Sequence, residues 1–138
     1  MPSFVDWAVL EDAARRVQAN AYAPYSQYPV GAALLVASGR VFSGANVENA
    51  SYGLALCAER SCIAQMVASG ERAPVAVVVV TKGPKLAAPC GLCRQTLAEF
   101  ATDMPIRLVL TDASAHAEMH TLQALLPNAF GPAHLAGR

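Results

Sequence analysis

The sequence contains few charged residues, and neither sign of charge is in excess. Only 14% of its 138 residues are Asp, Glu, Lys or Arg, and ten basic residues balance ten acidic ones. Typical soluble domains carry about 25% charged residues. Proteins that hold a nucleic-acid strand concentrate positive charge on one face, whereas the basic residues here are scattered among acidic ones. We therefore expect a small, uncharged ligand and no nucleic-acid polymer as a partner.

Long hydrophobic runs are also missing. No stretch reaches the roughly 20 apolar residues of a membrane-spanning helix, and residues 1–6 show neither a basic segment nor a signal-like apolar run. These absences favour a cytoplasmic protein with no membrane partner. Because repeats, low-complexity tracts and linkers are absent as well, we expect residues 1–138 to form a single domain.

The apolar fraction is nevertheless high, at 54% of the chain. This is more than one small globule needs for its own core, so we expect part of the apolar surface to lie in subunit interfaces. The composition therefore favours an oligomer.

Cysteine is scarce, but three of the four cysteines stand at metal-site spacing. Cys57-x-Glu59 is followed further along the chain by Pro-Cys90-x-x-Cys93. Structural zinc sites are normally closed by four protein ligands, whereas catalytic zinc sites keep the fourth position for water or substrate. We therefore predict one zinc ion per subunit, bound by Cys57, Cys90 and Cys93. The carboxyl group of Glu59 is expected to move the protons of the water.

This motif resembles the zinc deaminase signature, with Cys57 at the position where that signature usually has His. Residues 57 and 59 would lie about 200° apart on an ideal helix, so Cys57 must occupy the very start of its helix. Three thiolates on Zn²⁺ leave a net negative charge. We expect Arg60 and Arg94 to offset it through hydrogen bonds from their guanidinium groups to the thiolates.

Hydrophobic periodicity predicts an α/β fold. The patterns indicate helices at 4–19, 57–69, 90–101 and 122–126, and strands at 30–37, 40–47, 75–80 and 106–111. Ser38-Gly39 predicts a hairpin between the first two strands, and the later strand-helix-strand order predicts parallel pairing. We expect a three-layer α/β/α domain in which an antiparallel hairpin and parallel strands share one mixed sheet.

Three motifs together resemble the cytidine deaminases, specifically their small homotetrameric branch. The motifs are Asn46-Val-Glu48-Asn-Ala-Ser-Tyr52-Gly, Cys57-Ala-Glu59-Arg60 and Pro89-Cys90-Gly-Leu-Cys93-Arg94-Gln95, and the resemblance extends over nearly the whole chain. It implies a cytidine-deaminase-like fold. It also implies zinc-dependent hydrolysis of cytidine and 2′-deoxycytidine to uridine and 2′-deoxyuridine with release of ammonia, as in pyrimidine salvage.

The resemblance also implies roles for single residues. Asn46 and Glu48 would bind the ribose hydroxyls, Ala58 would present its backbone amide to the pyrimidine oxygen, and Phe130 would cover the base from a neighbouring subunit. Similar enzymes carry Phe where this chain has Tyr28, whose ring can stack on a pyrimidine but whose hydroxyl needs a partner or water. The implied substrate-binding set is Tyr28, Asn46, Glu48, Asn49, Ala50, Ser51, Tyr52, Ala58 and Phe130.

Some features have alternative interpretations. Cys-x-x-Cys is also typical of a redox pair or a structural zinc knot, and Cys62 would close the site if it were a fourth ligand, although a core position is favoured. His116, His120 and His134 lie in no motif and are expected at the surface or as caps. A proline-containing loop carries Tyr22, Tyr25 and Tyr28. These tyrosines are expected to form either a pocket wall or a subunit contact.

Other functions remain as alternatives. A deaminase of polynucleotides would need a basic channel. A deaminase of an aminonucleoside antibiotic would share the metal motif but not require the segment at 46–51. A non-catalytic zinc-binding interaction module would bind zinc and be indifferent to the substitution Glu59→Gln.

Overall fold

The computed structural model describes residues 4–112 and 116–136. These contain helices α1 (Trp7–Gln18), α2 (Ala58–Ala68), α3 (Gly91–Phe100) and α4 (Leu122–Leu125), and strands β1 (Gly31–Val36), β2 (Val41–Ala45), β3 (Pro74–Thr81), β4 (Pro105–Leu110) and β5 (Glu118–Thr121). Two short 3₁₀ segments, Tyr52–Leu54 and Pro132–His134, lie in the connections. The predicted α/β class is confirmed.

The strands form one mixed sheet in the order β2-β1-β3-β4-β5. Strand β1 is antiparallel to β2, as the hairpin prediction requires. It is also antiparallel to β3, and β3 is parallel to β4, as the strand-helix-strand order predicted. Strand β5 is antiparallel to β4 and was not predicted. Its sequence, Glu-Met-His-Thr, has no apolar run, and most of it is exposed. It is a strand because it pairs with β4 at the edge of the sheet, not because of its own pattern.

Two apolar layers cover the sheet. On one face, Leu10 and Ala14 of α1 pack with alternate residues of β3, such as Val78. On the other face, α2 and α3 pack over Val77 and Val79. All of β3 is buried, as expected for a central strand with helices on both sides.

The starts of α2 and α3 meet on one face of the sheet. Cys57 is the N-cap of α2 and Cys90 is the N-cap of α3, and their Sγ atoms lie 3.7 Å apart. Thr81, the last residue of β3, lines the same cavity as both cysteines. The fold therefore brings two helix N-termini to the carboxyl end of the central strand.

Candidate active site

Three cysteine sulfurs lie close enough together to bind one metal ion. The Sγ atoms of Cys57, Cys90 and Cys93 all lie within 4.8 Å of one another, with 3.5 Å between Cys90 and Cys93. A tetrahedral site with Zn–S bonds of about 2.3 Å holds its sulfurs about 3.8 Å apart. The three thiols therefore fit a zinc ion that keeps a fourth position. Cys62 is buried in the core, where its Sγ lies 3.5 Å from the carbonyl oxygen of Ala32, and it is not part of this cluster.

The environment of the cluster favours one thiolate, at Cys57. A hydrogen bond from Cys93 is the largest influence on the pKa of Cys57, which falls to about 5 although burial opposes the change. Cys90 and Arg60 lower it further. The same contact with Cys57 raises the pKa of Cys93. The N-termini of α2 and α3 lie at the cluster and add positive potential there. One thiol of the cluster is therefore deprotonated at neutral pH, and its negative charge favours the binding of a cation.

Glu59 is a buried carboxyl group beside these thiols. It is the second residue of α2 and is 5% exposed. Burial is the main reason that its pKa rises to about 7, and the neighbouring Cys57 also raises it. Cys57 has extended backbone angles, φ −77° and ψ 156°, so it precedes the helix and does not share its rotation. The side chains of Cys57 and Glu59 can therefore reach the same cavity, and Cys57 lies at the start of its helix as predicted.

A cavity of about 290 Å³ opens above Glu59. Cys57, Cys90 and Glu59 contribute to its wall, and Asn46 and Glu48 contribute to it from the loop after β2. The remaining lining residues are Tyr28, Val30, Ala55, Leu56, Ala58, Val79, Thr81, Ala87 and Ala88. A larger cavity of about 690 Å³ lies between α3 and the C-terminal segment and is lined by none of the predicted site residues. The predicted site residues that line a cavity therefore all line the smaller one.

Residues 8–110 match the family model described as "Cytidine and deoxycytidylate deaminase zinc-binding region". The chain belongs to this family.

Relatives and solved structures agree with the family match. The chain is 42% identical to the cytidine deaminase of Sporosarcina psychrophila over 125 residues, which are 88% of this chain and 89% of that one. The crystal structure of cytidine deaminase from Burkholderia pseudomallei superposes with a TM-score of 0.84 at 40% identity, covering 92% and 100% of the two chains. The structure from Mycobacterium tuberculosis gives 0.80 at 41% identity, covering 93% and 99%.

Asn46 and Glu48 shape this deaminase site through the loop that carries Tyr28. Asn46 Oδ1 accepts a hydrogen bond from the Val30 amide (2.9 Å), and its Nδ2 donates to the Tyr28 carbonyl oxygen (3.0 Å). The carboxylate of Glu48 accepts hydrogen bonds from the amides of Tyr25 (2.9 Å) and Ser26 (3.1 Å). Both side chains retain free hydrogen-bonding capacity, since an amide offers two donors and a carboxylate about four acceptor sites.

The Ser26 hydroxyl makes a further bond to Glu48. It is the largest cause that lowers the pKa of the Glu48 carboxyl group. The carboxylate is therefore kept ionised, with acceptor oxygens at the cavity.

Most of the other residues implied by the family resemblance lie outside the cavity of a single chain. Ala58 lines it, but Asn49, Ala50 and Ser51 do not, and Tyr52 and Phe130 are 80% and 57% exposed. The ring of Phe130 stacks on His134 with 5.0 Å between centroids. Within one chain, the segment at 46–52 reaches the cavity only through its first and third residues.

The two arginines differ from each other. Arg60 Nη2 donates to the Ala55 carbonyl oxygen (2.8 Å) and lies 4.0 Å from Cys57 Sγ. Arg94 donates instead to the carbonyl oxygens of Pro89 (2.7 Å) and Leu125 (2.8 Å). The guanidinium group of Arg94 thus connects the segment before α3 to α4, and the expected hydrogen bond from Arg94 to a thiolate is not seen among the described residues.

The histidines and tyrosines lie mostly as predicted. His134 accepts a hydrogen bond from the Gly131 amide (3.0 Å), and His120 lies 2.9 Å from Glu118. His116 is exposed, and no histidine lines the cavity with Glu59. Of the three tyrosines in the early loop, Tyr28 reaches the cavity, while Tyr22 and Tyr25 are more than half exposed.

Sequence reasoning missed Thr81 in the cavity wall. The residue follows the apolar run 75–80 and ends β3. A polar residue at the carboxyl end of a buried strand was the signal that could have identified it, since α/β proteins bind ligands at that edge. No helix among the described residues has both the length and the apolar character needed to cross a membrane.

Proposed function

We propose that this chain is a zinc-dependent cytidine deaminase that hydrolyses cytidine and 2′-deoxycytidine to uridine and 2′-deoxyuridine and releases ammonia. The observation that carries the proposal is the buried Glu59 carboxyl group beside three thiols that fit one zinc ion and leave its fourth position open. Relatives that are about 40% identical over most of both chains are named cytidine deaminases. Pyrimidine salvage is the corresponding physiological role.

The cavity suits a nucleoside better than a nucleotide. Its lining contains two carboxyl groups, Glu48 and Glu59, and no Lys, Arg or His among the described residues. A phosphate group binds where cationic side chains or clustered N–H donors neutralise it, and a carboxylate repels it. Although the family includes deoxycytidylate deaminases, the charge of this cavity favours the neutral substrate.

Cys57, Cys90 and Cys93 would hold the metal. Bound zinc lowers the pKa of water and so makes it a nucleophile near neutral pH. The hydrogen bond from Arg60 to Cys57 would offset part of the thiolate charge.

Glu59 performs the proton transfers in this mechanism. It accepts the first proton of the attacking water and passes it to the ring nitrogen beside the carbon that bears the amino group. Water oxygen bonds to that carbon, Glu59 takes the second proton to the amino group, and the C–N bond breaks as ammonia leaves. Burial raises the pKa of the Glu59 carboxyl group, which helps it to hold a proton between the two transfers, and burial also keeps that proton from solvent.

Binding groups surround the ring and the sugar. The Ala58 amide lies at the first position of α2, where helix N–H groups have no partner within the helix, so it is available to the pyrimidine carbonyl oxygen. The ring of Tyr28 would stack on the base. Asn46 and Glu48 would use their remaining donors and acceptors for the ribose hydroxyls.

We also propose a homotetramer in which neighbouring subunits complete each site. The support is apolar surface near the cluster: Tyr52, Leu54, Leu92 and Phe130 are 80%, 68%, 66% and 57% exposed in the single chain. Exposed apolar groups of this size are typical of interfaces. In this proposal Phe130 covers the base bound by a neighbour, and Asn49, Ala50, Ser51 and Tyr52 line the contact.

The decisive experiment mixes zinc-loaded protein with cytidine and measures uridine and ammonia. Cytidine and 2′-deoxycytidine should be converted, while deoxycytidylate and a cytosine-containing single-stranded oligonucleotide should be poor substrates. A protein with one zinc per chain and no turnover of either nucleoside would overturn the proposal.

A further inference from the structure

A threonine hydroxyl in the wall of the nucleoside cavity has no hydrogen-bond partner. Thr81 is 3% exposed, and its Oγ1 is buried without a partner among the residues that the structure describes. Buried side-chain polar atoms are hydrogen-bonded in the large majority of cases. An unpaired hydroxyl beside a ligand cavity therefore indicates a group whose partner is the ligand or a water molecule held with it.

The position of Thr81 in β3 directs its side chain to the cavity. Successive side chains of a strand point to opposite faces. Val77 and Val79 pack with α2 and α3, whereas Val78 and Val80 face α1. Thr81 follows this alternation onto the face of α2, and it lines the same cavity as Glu59.

The backbone around this hydroxyl is held firmly. The Thr81 carbonyl oxygen accepts hydrogen bonds from the amide (2.9 Å) and the hydroxyl (3.2 Å) of Thr111. Gln18 Nε2 donates in turn to the Thr111 hydroxyl (2.8 Å) and to the Pro29 carbonyl oxygen (3.0 Å). The network fixes the end of β3 and the loop that carries Tyr28, yet it leaves the Thr81 hydroxyl unpaired.

Packing alone does not account for a hydroxyl at this position. Residues 75–80 are all valine except Ala76, and valine has the shape of threonine without its polar atom. A buried unpaired hydroxyl destabilises the folded chain relative to that apolar equivalent. The hydroxyl is thus unfavourable in the free protein and becomes satisfied when the cavity is filled.

We propose that Thr81 is a substrate-binding residue, whose hydroxyl hydrogen-bonds the nucleoside in the cavity directly or through one water molecule. The identity of the ligand rests on the proposed function. This contact lies at the end of β3, apart from the loop that carries Asn46 and Glu48 and from the cysteine motifs.

The test compares Thr81→Val and Thr81→Ser with the unaltered protein in two measurements. Thr81→Val should raise KM for cytidine and the inhibition constant of uridine by about two- to tenfold, the effect of one neutral hydrogen bond, with a smaller change in kcat. It should also raise the melting temperature of the free protein by roughly 2–4 °C. Thr81→Ser should restore the binding constants.

Thr111→Val is the matched control, because it removes a hydroxyl that is already paired with Gln18 and Thr81. It should lower the melting temperature, the opposite of Thr81→Val. Unchanged nucleoside binding in Thr81→Val would overturn the proposal, and so would a loss of stability, since that would show a partner within the protein.

The two proposals fail separately. If the unaltered protein converts no cytidine, the proposed function is wrong, whatever Thr81 does. If it converts cytidine but Thr81→Val binds cytidine and uridine normally, only the role of Thr81 is wrong.

Discussion

The chemistry of this site depends on where a helix begins. Cys57 is extended and lies just outside α2, whereas Glu59 lies within its first turn. Had the helix begun one turn earlier, the two side chains would point about 200° apart. The N-cap position lets both reach one cavity, and burial gives Glu59 a pKa of about 7. One backbone transition therefore brings the proposed metal ligand, Cys57, and the proposed proton carrier, Glu59, to the same cavity.

Replacing Glu59 tests its assigned role. Glu59→Gln keeps the shape of the side chain but cannot accept a proton, so kcat for cytidine should fall by at least about 10²–10⁴-fold. Zinc content and far-ultraviolet circular dichroism should not change, because the ligands are the three cysteines. Glu99→Gln, on the exposed side of α3, is the control and should behave like the unaltered protein. Retained turnover in Glu59→Gln would place the proton transfer elsewhere.

At the scale of elements, the position of the loop between α1 and β1, which carries Tyr28, depends on how closely α1 approaches the sheet. Gly31 begins β1, and a Cβ atom there would lie 2.1 Å from the carbonyl oxygen of Ala14 and 2.8 Å from Gln18 Cβ. Gln18 is also the residue that holds the Pro29 carbonyl oxygen. The absence of a side chain at position 31 therefore lets α1 hold the loop in place.

Gly31→Ala should accordingly destabilise the fold. The backbone oxygen of Ala14 cannot move without displacing α1, so the free energy of unfolding should fall by about 1–3 kcal/mol or more. Gly53→Ala is the control, since a Cβ atom there meets nothing within 4 Å. Urea denaturation of both variants measures the difference. Equal stabilities would show that α1 does not pack on β1 as closely as the structure indicates.

Arg94 connects two elements beside the cysteine cluster. Its hydrogen bonds to Pro89 and Leu125 join the segment before α3 to the end of α4. Arg94→Met removes both charged hydrogen bonds and should lower the free energy of unfolding by about 1.5–3 kcal/mol. Arg16→Met removes only an exposed pair with Asp12 and should cost about 0.3–0.5 kcal/mol. Thermal denaturation compares them, and similar losses would contradict a connecting role for Arg94.

The sequence predicted those parts of the structure that depend on local pattern. Apolar periodicity located α1 and β3. The spacing of Cys90 and Cys93 predicted that their side chains point to the same side of a helix start, and both sulfurs lie in the cluster. Features that depend on distant partners were not predictable. Strand β5 exists through its pairing with β4, and the partners of Arg94 are carbonyl groups that no motif identifies. Thr81 belongs to the same class, since its importance arises from the cavity beside it.

At the scale of the whole molecule, the single chain leaves its site open to one side. Tyr52 and Phe130 are 80% and 57% exposed, and neither lines the cavity with Glu59. The low charged fraction and the high apolar fraction of the sequence also favour an oligomer. If the proposed homotetramer forms, a chain of 14.4 kDa should have about four times this mass in solution, and light scattering would measure it.

Mixed subunits test whether Phe130 acts on a neighbour's site. Phe130→Ala should lower kcat/KM for cytidine by about tenfold or more, since buried aromatic contacts dominate binding. Glu59→Gln should be inactive. If Phe130 completes the neighbouring site, co-expressed subunits of the two variants form some sites that combine an intact Glu59 with an intact Phe130. Random mixing with one contributing neighbour restores about one quarter of normal activity.

The control for this mixing experiment replaces the Glu59→Gln partner with a chain that carries both substitutions. Such a chain supplies no intact Phe130, so mixing it with Phe130→Ala subunits should restore nothing. The separate purified variants, added together without subunit exchange, should likewise show only the sum of their own activities. If co-expression of Glu59→Gln with Phe130→Ala also gives no more than that sum while the mass stays that of an oligomer, Phe130 acts within its own chain. The exposed ring would then have to move to close its own cavity.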